Sequence, residues 1–378
     1  MTDTSIPFNR PAIVGSEYAY MAKAVSNGHI SGDGEFTRRC HRFLEDELGV
    51  PKALLTTSCT HALEMTAMLL DIQPGDEVVV PSFTFVSTVN AFVLRGAKPV
   101  FCDIRPDTLN MDEKLLPGLI TKRTKAIVPV HYAGVGCEMD PIISIAGAHG
   151  IAVVEDNAHG LFGRYKGQFL GTFGCMATQS FHETKNFNCG EGGALLINDR
   201  EHANRAEILR EKGTNRSQFF RGQVDKYSWV DIGSSYLPSD ALAAFLLAQF
   251  EEKDRIQQRR KLLWERYMEA LRSWAIARGI CLPTIPEHCE QSWHLFYMLT
   301  PTTEDRDRFI GHFKDHDILS VFHYLPLNTS IMGLKFGGKS GNCPVTESIS
   351  GRLLRLPMYY DLLGPDQDRV IETALKFH

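Results

Sequence analysis

Residues 177–197 read ATQSFHETKNFNCGEGGALLI. Two strand-like runs, Ala177–Phe181 and Ala194–Ile197, flank a polar turn that carries Lys185 and Gly190-Glu191-Gly192-Gly193. Most lysines are solvated surface residues, so one placed just past a buried strand is unusual. A partly desolvated lysine has a lowered pKa and can form a Schiff base. The glycines behind it let backbone come close to a ligand.

Working outward, more β-branched runs precede this stretch: Glu77–Val80, Pro99–Asp103, Ala126–Val130 and Ile151–Glu155. Helix-like segments lie between them, at Cys59–Leu70, Val86–Arg95 and Pro141–His149. This alternation predicts a mostly parallel sheet with helices on both faces. Ligands of such sheets bind beyond the carboxyl ends of the strands.

Three other features fall at expected strand ends. Thr57-Ser58-Cys59-Thr60 precedes an apolar helical run. Its hydroxyls can cap a helix whose free N–H groups attract phosphate, although such caps are commonplace. Phe85, in Pro81-Ser82-Phe83-Thr84-Phe85, can lie flat on a planar heterocycle, or it can be core. Val153-Val154-Glu155-Asp156 runs from apolar residues into two carboxylates. An acid there either caps the next helix or pairs with a protonated ring nitrogen and keeps it cationic. Together these supply a phosphate turn, a ring stacker, a pyridinium partner and an imine-forming amine, which are the needs of pyridoxal 5′-phosphate.

Composition bounds the remaining possibilities. The chain has 378 residues, a formal charge of −5 and 22% charged residues. With no basic excess to neutralise phosphates, general nucleic-acid binding is disfavoured. No run approaches the ~18 apolar residues of a membrane span. The start, MTDTSIPFNRP, lacks a basic-then-apolar leader. The nine cysteines include no C-x-x-C pair, so no metal site is expected. An odd cysteine count without a leader predicts reduced thiols and a cytoplasmic enzyme. Residues from Pro238 to about Trp274 read as one long, charged, solvated helix. A strand-like run Ser292–Leu299, a polar helix Glu304–His316, a strand Leu319–Tyr324 and a terminal helix follow. The expected division is 1–245, a large cofactor-binding domain, and 246–378, a smaller C-terminal α+β domain.

The chain resembles the DegT-type nucleotide-sugar aminotransferases almost end to end, through PGDEVVVPSFTFVSTVNAFVLRGAKPVF (74–101), RPDT (105–108), VPVHYAG (128–134), VVED (153–156), SFHETKN (180–186), GEGG (190–193) and RLLRLP (352–357). The resemblance implies the fold-type-I aspartate aminotransferase architecture and pyridoxal 5′-phosphate as cofactor. It implies Lys185 as the Schiff-base lysine and Asp156 on the pyridine nitrogen. Phe85 would stack on the ring, and Ser180 with Ser58, Cys59 and Thr60 would bind the phosphate. His159 would stand beside the phenolic oxygen. A homodimer with active sites at the subunit interface is implied, with Ser235 in the place of the asparagine that often reaches the partner's phosphate. GDGEFTRRC (32–40), the 211–227 segment, DIGSSYL (231–237) and VFHYLPL (321–327) narrow the resemblance to members acting on a dTDP-linked 4-keto-6-deoxyhexose, with L-glutamate as amino donor. Arg216 and Arg221 are then candidates for a pyrophosphate or a glutamate carboxylate. His323, Tyr324 and Asn328 are candidates for the sugar side, Asn328 standing where relatives usually carry His. Two other readings are a sugar dehydratase of the same fold, which replaces the lysine by His, and a non-catalytic binding member. Lys185 speaks against the first. The retained Asp156, Lys185 and phosphate turn speak against the second.

Overall fold

The computed structural model describes residues 5–378, so the first four residues of the leader-free reading lie outside it. Seven strands form the central sheet: β1 (Lys52–Thr56), β2 (Glu77–Pro81), β3 (Lys98–Cys102), β4 (Thr124–Ile127), β5 (Ala152–Asp156), β8 (Met176–Ser180) and β9 (Gly193–Ile197). The short pair β6 (Arg164–Tyr165) and β7 (Gln168–Phe169) sits in a separate three-stranded sheet with β10 (Cys289–Glu290). The order of the large sheet is β1-β9-β8-β5-β4-β2-β3. Only β9 runs against the rest, pairing antiparallel with both β8 and β1. The fold is therefore α/β with a mostly parallel sheet, as expected. β1 was not anticipated, because Lys52-Ala53-Leu54-Leu55-Thr56 carries little of the β-branched signal that marks its neighbours.

Helices cover both faces. On one, the apolar helix Cys59–Leu69 packs Leu63, Met65 and Leu69 against Val78, Val80 and Leu195. On the other, Phe36, Leu44, Leu247 and Phe250 close over Leu55, Ala177 and Leu196. Strand side chains alternate between the faces, so both cores draw on the same strands.

The expected single helix over 238–274 is instead two, Asp240–Glu251 and Lys253–Ala277, broken at Glu252. The first is apolar nearly all round and buried in the sheet's core. The second is not merely solvated. Ile256, Arg260, Leu263, Trp264, Tyr267, Leu271 and Ala275 recur every three or four residues and form a buried stripe. That stripe packs on Phe296, Phe309, Phe313, Leu354 and Val370 in a second core. Around it lie the pair β11 (Tyr297–Leu299) and β12 (Leu353–Arg355), and the helices Thr303–Lys314 and Gly364–Leu375. The expected strand over Leu319–Tyr324 reduces to one bridge, Val321 to Arg355. The chain leaves the sheet there, with Tyr324 at φ +29, and turns towards the carboxyl edge of the large sheet.

Candidate active site

β1, β2, β5 and β8 run parallel, so their carboxyl ends share one edge, and antiparallel β9 begins at that edge. In register, Gly193 faces both Ser180 and Thr56. A Cβ on Gly193 would overlap the Ser58 carbonyl carbon and the Cys59 amide. The last glycine of the GEGG run is thus what lets the Ser58 turn and the Lys185 turn meet.

Ser58 caps the helix Cys59–Leu69, its hydroxyl accepting from His61 N at 3.1 Å. The first helical bond runs from Ala62 N to Ser58 O, leaving the Cys59 and Thr60 amides without an intrahelical acceptor at the positive end of the helix dipole. Thr60 Oγ1 donates to Ser87 Oγ (2.8 Å), and Ser180 ends β8 beside them. Cys59 Sγ lies 3.5 Å from Thr178 Oγ1, and burial pushes its thiol pKa up.

Glu155 and Asp156, adjacent on β5, point to opposite faces. Glu155 is saturated: it accepts from Gly171 N (2.8 Å), Phe173 N (2.7 Å) and Gly174 N (2.8 Å) and pairs with His131 Nε2 (2.9 Å). Asp156, only 5% exposed, accepts from Thr88 Oγ1 (2.7 Å) and weakly from Ala158 N (3.2 Å). Thr88 in turn bonds Thr84 Oγ1 (2.8 Å), which ties the loop after β2 to this carboxylate. Burial pushes the Asp156 pKa up, as befits an anion with no full-charge hydrogen-bond partner.

Lys185 N closes a turn onto His182 O (2.8 Å). Among the described residues no carboxylate hydrogen-bonds its amine, and burial lowers its pKa to about 8, against smaller opposing contributions from Cys59 and Asp156. His159 is 6% exposed, and its Nδ1 has no partner among the described residues. Its Nε2 lies 3.4 Å from Tyr324 OH, and its ring lies 4.3 Å from that of His294. His323 stacks on Tyr324 (3.6 Å between centroids) and bonds Tyr132 OH through Nδ1 (2.8 Å). Burial holds the pKa values of His159, His294 and His323 well below the usual range, so the rings are neutral. Phe85 is 56% exposed at the mouth, its ring 6.3 Å from that of Tyr324.

Sequence reasoning assigned no role to Arg355, although its motif was visible. It rises from β12 and acts electrostatically on Lys185, His159, His323 and Tyr324. Its Nη2 donates to Phe322 O (3.0 Å), while its Nε is buried without a partner. Its guanidinium lies over the Phe8 ring, 4.7 Å from the centroid, a cation near enough to the site to act on these four groups.

Four candidates lie elsewhere. Arg216 and Arg221 sit on the 214–232 segment, paired with Glu211 (3.7 Å) and Glu207 (2.7 Å). Ser235 is exposed on the adjoining turn, bridged to Glu211. Asn328 is fully buried: Oδ1 accepts from Ser82 Oγ (2.7 Å), and Nδ2 donates to Lys339 O (3.0 Å) and Glu347 Oε1 (2.7 Å). With both donors spent and no exposed surface, this side chain ties loops together and has no hydrogen left for a sugar.

The residues present fit pyridoxal phosphate. They include a buried carboxylate, an amine of lowered pKa near enough to feel it, a helix N-terminus with free amides, and an imidazole nitrogen unpartnered among the described residues. Among the described residues there is no cluster of metal-ligand type, and no helix is long and apolar enough to cross a membrane.

The model of the DegT/DnrJ/EryC1/StrS aminotransferase family matches residues 11–375. The chain is 32% identical over 377 residues to the spore coat polysaccharide biosynthesis protein SpsC of Bacillus subtilis, covering 98% of this chain and 96% of that one. Among solved structures it is similar to Spr1654 of Streptococcus pneumoniae, known in apo, PLP and PMP forms (TM-score 0.90 for the apo form, 30% identity, 98% and 96% of the two chains). It is also similar to the aminotransferase TlmJ of Streptoalloteichus hindustanus (TM-score 0.89, 28% identity, 98% and 97%).

Proposed function

Because the chain belongs to the DegT/DnrJ/EryC1/StrS aminotransferase family, whose members are pyridoxal phosphate-dependent transaminases, we propose that it moves the amino group of L-glutamate to carbon 4 of a dTDP-linked 4-keto-6-deoxyhexose. The products are then dTDP-4-amino-4,6-dideoxygalactose and 2-oxoglutarate. This is the reaction of the dTDP-4-amino-4,6-dideoxygalactose transaminase of enterobacterial common antigen biosynthesis. The substrate reading is supported by Gly32-Asp33-Gly34, the 215–221 run and Phe322-His323-Tyr324. The aminotransferase reading is carried by one observation: half-buried Lys185 lines one small cavity with Ser180, His159 and His294 at the strand edge where Gly193 lets its turn meet the Ser58 turn, and the surrounding desolvation lowers its pKa to about 8.

Pyridoxal phosphate, held at this edge, supplies an electron sink and a carrier for the amine. In our reading Asp156 holds the protonated ring nitrogen, oriented by Thr88 and the Ala158 amide. The Cys59 and Thr60 amides, with Ser58 and Ser180, hold the phosphate. Phe85 and His159 would hold the ring. Lys185 would be the amine to which the cofactor attaches. Its Nζ, neutral at near-neutral pH, would take the proton from the substrate carbon and give it back, acting as general base and then acid. Arg355, a cation that acts on Lys185, would receive a carboxylate of the glutamate.

We place Arg216, Arg221 and Ser235 across a homodimer interface, serving the partner's site. Support comes from their local partners, Glu207 and Glu211, neither of which acts on Lys185, and from the apolar residues exposed beside them, Phe220 and Trp229 (80%). A two-domain division, placed at the Glu252 break and not at 246 because Leu246, Leu247 and Phe250 pack in the sheet's core, and a cytoplasmic location complete the reading.

The test is a side-by-side assay on dTDP-linked 4-keto and 3-keto 6-deoxyhexoses, with product configuration read by NMR. An axial 4-amine from the 4-keto sugar is expected. Preference for the 3-keto isomer, or an equatorial 4-amine, refutes the substrate while leaving transamination standing. Loss of water from the sugar without amine transfer would favour the dehydratase.

A further inference from the structure

Behind the candidate site, the segment 291–295 forms a buried strap between the helix Lys253–Ala277 and the Lys185 turn. Trp293, in this strap, adopts φ +58, a left-handed conformation costly for a bulky residue. Such strain persists only where the surroundings over-determine it. Arg260 supplies that constraint. Its Nε donates to Trp293 O (2.8 Å), and its Nη2 donates to His294 O and to Met358 O (3.3 Å). The guanidinium is fully buried and bonds three carbonyls and no carboxylate.

The strap's other end reaches the residue next to Lys185. Asn186 Nδ2 donates to Ser292 O (2.6 Å), and more weakly to Gln257 Oε1 (3.4 Å). Its Oδ1 therefore faces His294 Nδ1 (2.9 Å), so His294 carries its proton on Nδ1. Ser292 Oγ also donates to His159 O, and the His294 ring lies against that of His159. His294, His159, Lys185 and Ser180 line one small cavity.

We propose that His294 is a positioning residue for Lys185: its Nδ1–H fixes the Asn186 side chain, and so the chain direction at Lys185, while Arg260 holds His294 from the helix behind. The inference rests on Lys185 being the reacting amine. A misplacement of the reacting atom by about 1 Å can cost ~100-fold in rate, so such a brace matters.

The groups that act on Lys185 are Cys59 of the helix start, Asp156 of β5 and Arg355 of β12, while His159, His294 and His323 are neutral rings on which Lys185 itself acts. None is moved by replacing His294 except its direct neighbours. The readout is the pH dependence of Lys185 acylation by acetic anhydride in the full chain without cofactor, followed by peptide mass spectrometry.

His294→Asn keeps a donor at the Nδ1 position, and His294→Phe keeps the ring but not the donor. With Phe, Asn186 loses its brace and water reaches the amine. The half-reaction pH should then rise by about one unit from its wild-type value near 8, because desolvation is the main cause of the depression. With Asn it should stay within a few tenths. Arg260→Lys, which cannot span three carbonyls, should shift it partway. If His294→Phe fails to fold, judged by thermal unfolding, Asn186→Ala deletes the same bond from the other side and must give the same rise. A His294→Phe protein, or Asn186→Ala in its place, that titrates like wild type overturns the proposal. So does His294→Asn shifting as far as His294→Phe. Borohydride trapping in wild-type holoenzyme tests the underlying assignment separately. An adduct on another lysine would remove Lys185 from catalysis without touching the titration result.

Discussion

Replacing Asp156 by Asn removes one negative charge and almost nothing else. The two protein donors to this carboxylate, Thr88 Oγ1 and Ala158 N, sit on different oxygens. An amide can accept from Ala158 N and donate to Thr88 Oγ1, which then turns its own hydrogen to Thr84. The fold should survive. The sign of the stability effect follows from linkage. The Asp156 pKa is raised in the folded state by burial, so the folded protein binds this proton more tightly than the unfolded chain does. Stability gained from the protonated form is fully present below the ordinary aspartate pKa and is lost as pH rises through the raised value. At neutral pH the cofactor-free protein bears the cost of a buried anion, and Asp156→Asn relieves it. The cofactor-free variant should therefore melt no lower than wild type at pH 7. Turnover should move the other way. Breaking one partner of a buried ion pair costs about 3–5 kcal/mol, and the amide keeps a neutral contact worth about 1 kcal/mol. The remaining deficit is about 2–4 kcal/mol, a loss of roughly 30- to 900-fold. The assay is steady-state transamination beside a melting curve with and without pyridoxal phosphate. Near-normal turnover would refute the reasoning, and Glu155 cannot be the substitute. It lies on the opposite face of the strand, and its oxygens already take three backbone amides and a histidine.

Three other outcomes follow from the same geometry. Lys185→Ala should still bind cofactor but lose transamination and give no borohydride adduct at position 185, as peptide mapping would show. Gly193→Ala places a methyl on the Ser58–Cys59 turn, so cofactor affinity measured by fluorescence titration should fall at least ~10-fold, and an unchanged Kd would mean the turn can move freely. Asn328→Leu leaves Ser82 and the Lys339 carbonyl without their buried partner, which should destabilise by about 1–3 kcal/mol in urea while KM for the sugar stays near normal.

Much of the chemistry was legible in the sequence because it depends on residue types at strand ends. The six strands expected over residues 77–197 are present, displaced at their ends by no more than three residues, and they carry Asp156 and Lys185 to one edge, whereas Ser292–Leu299 shrinks to Tyr297–Leu299 and Leu319–Tyr324 to a single bridge. Alternating β-branched runs and helical stretches leave no other economical arrangement. What folding alone decided concerns direction and occupancy. Two adjacent carboxylates look alike in a string of letters. Only the pleat of β5 sends Glu155 into a nest of amides and Asp156 towards Lys185. His294 carries no local signal, and the motif around Arg355 does not say what the arginine faces, since each acquires its meaning from residues more than a hundred positions away. Asn328 read as a contact for substrate until its three hydrogen bonds were seen to be internal. Local pattern records which groups a chain owns. Which of their lone pairs and hydrogens remain free is a property of the packed molecule, because burial makes most polar atoms find a partner and only long-range contacts say which ones do not.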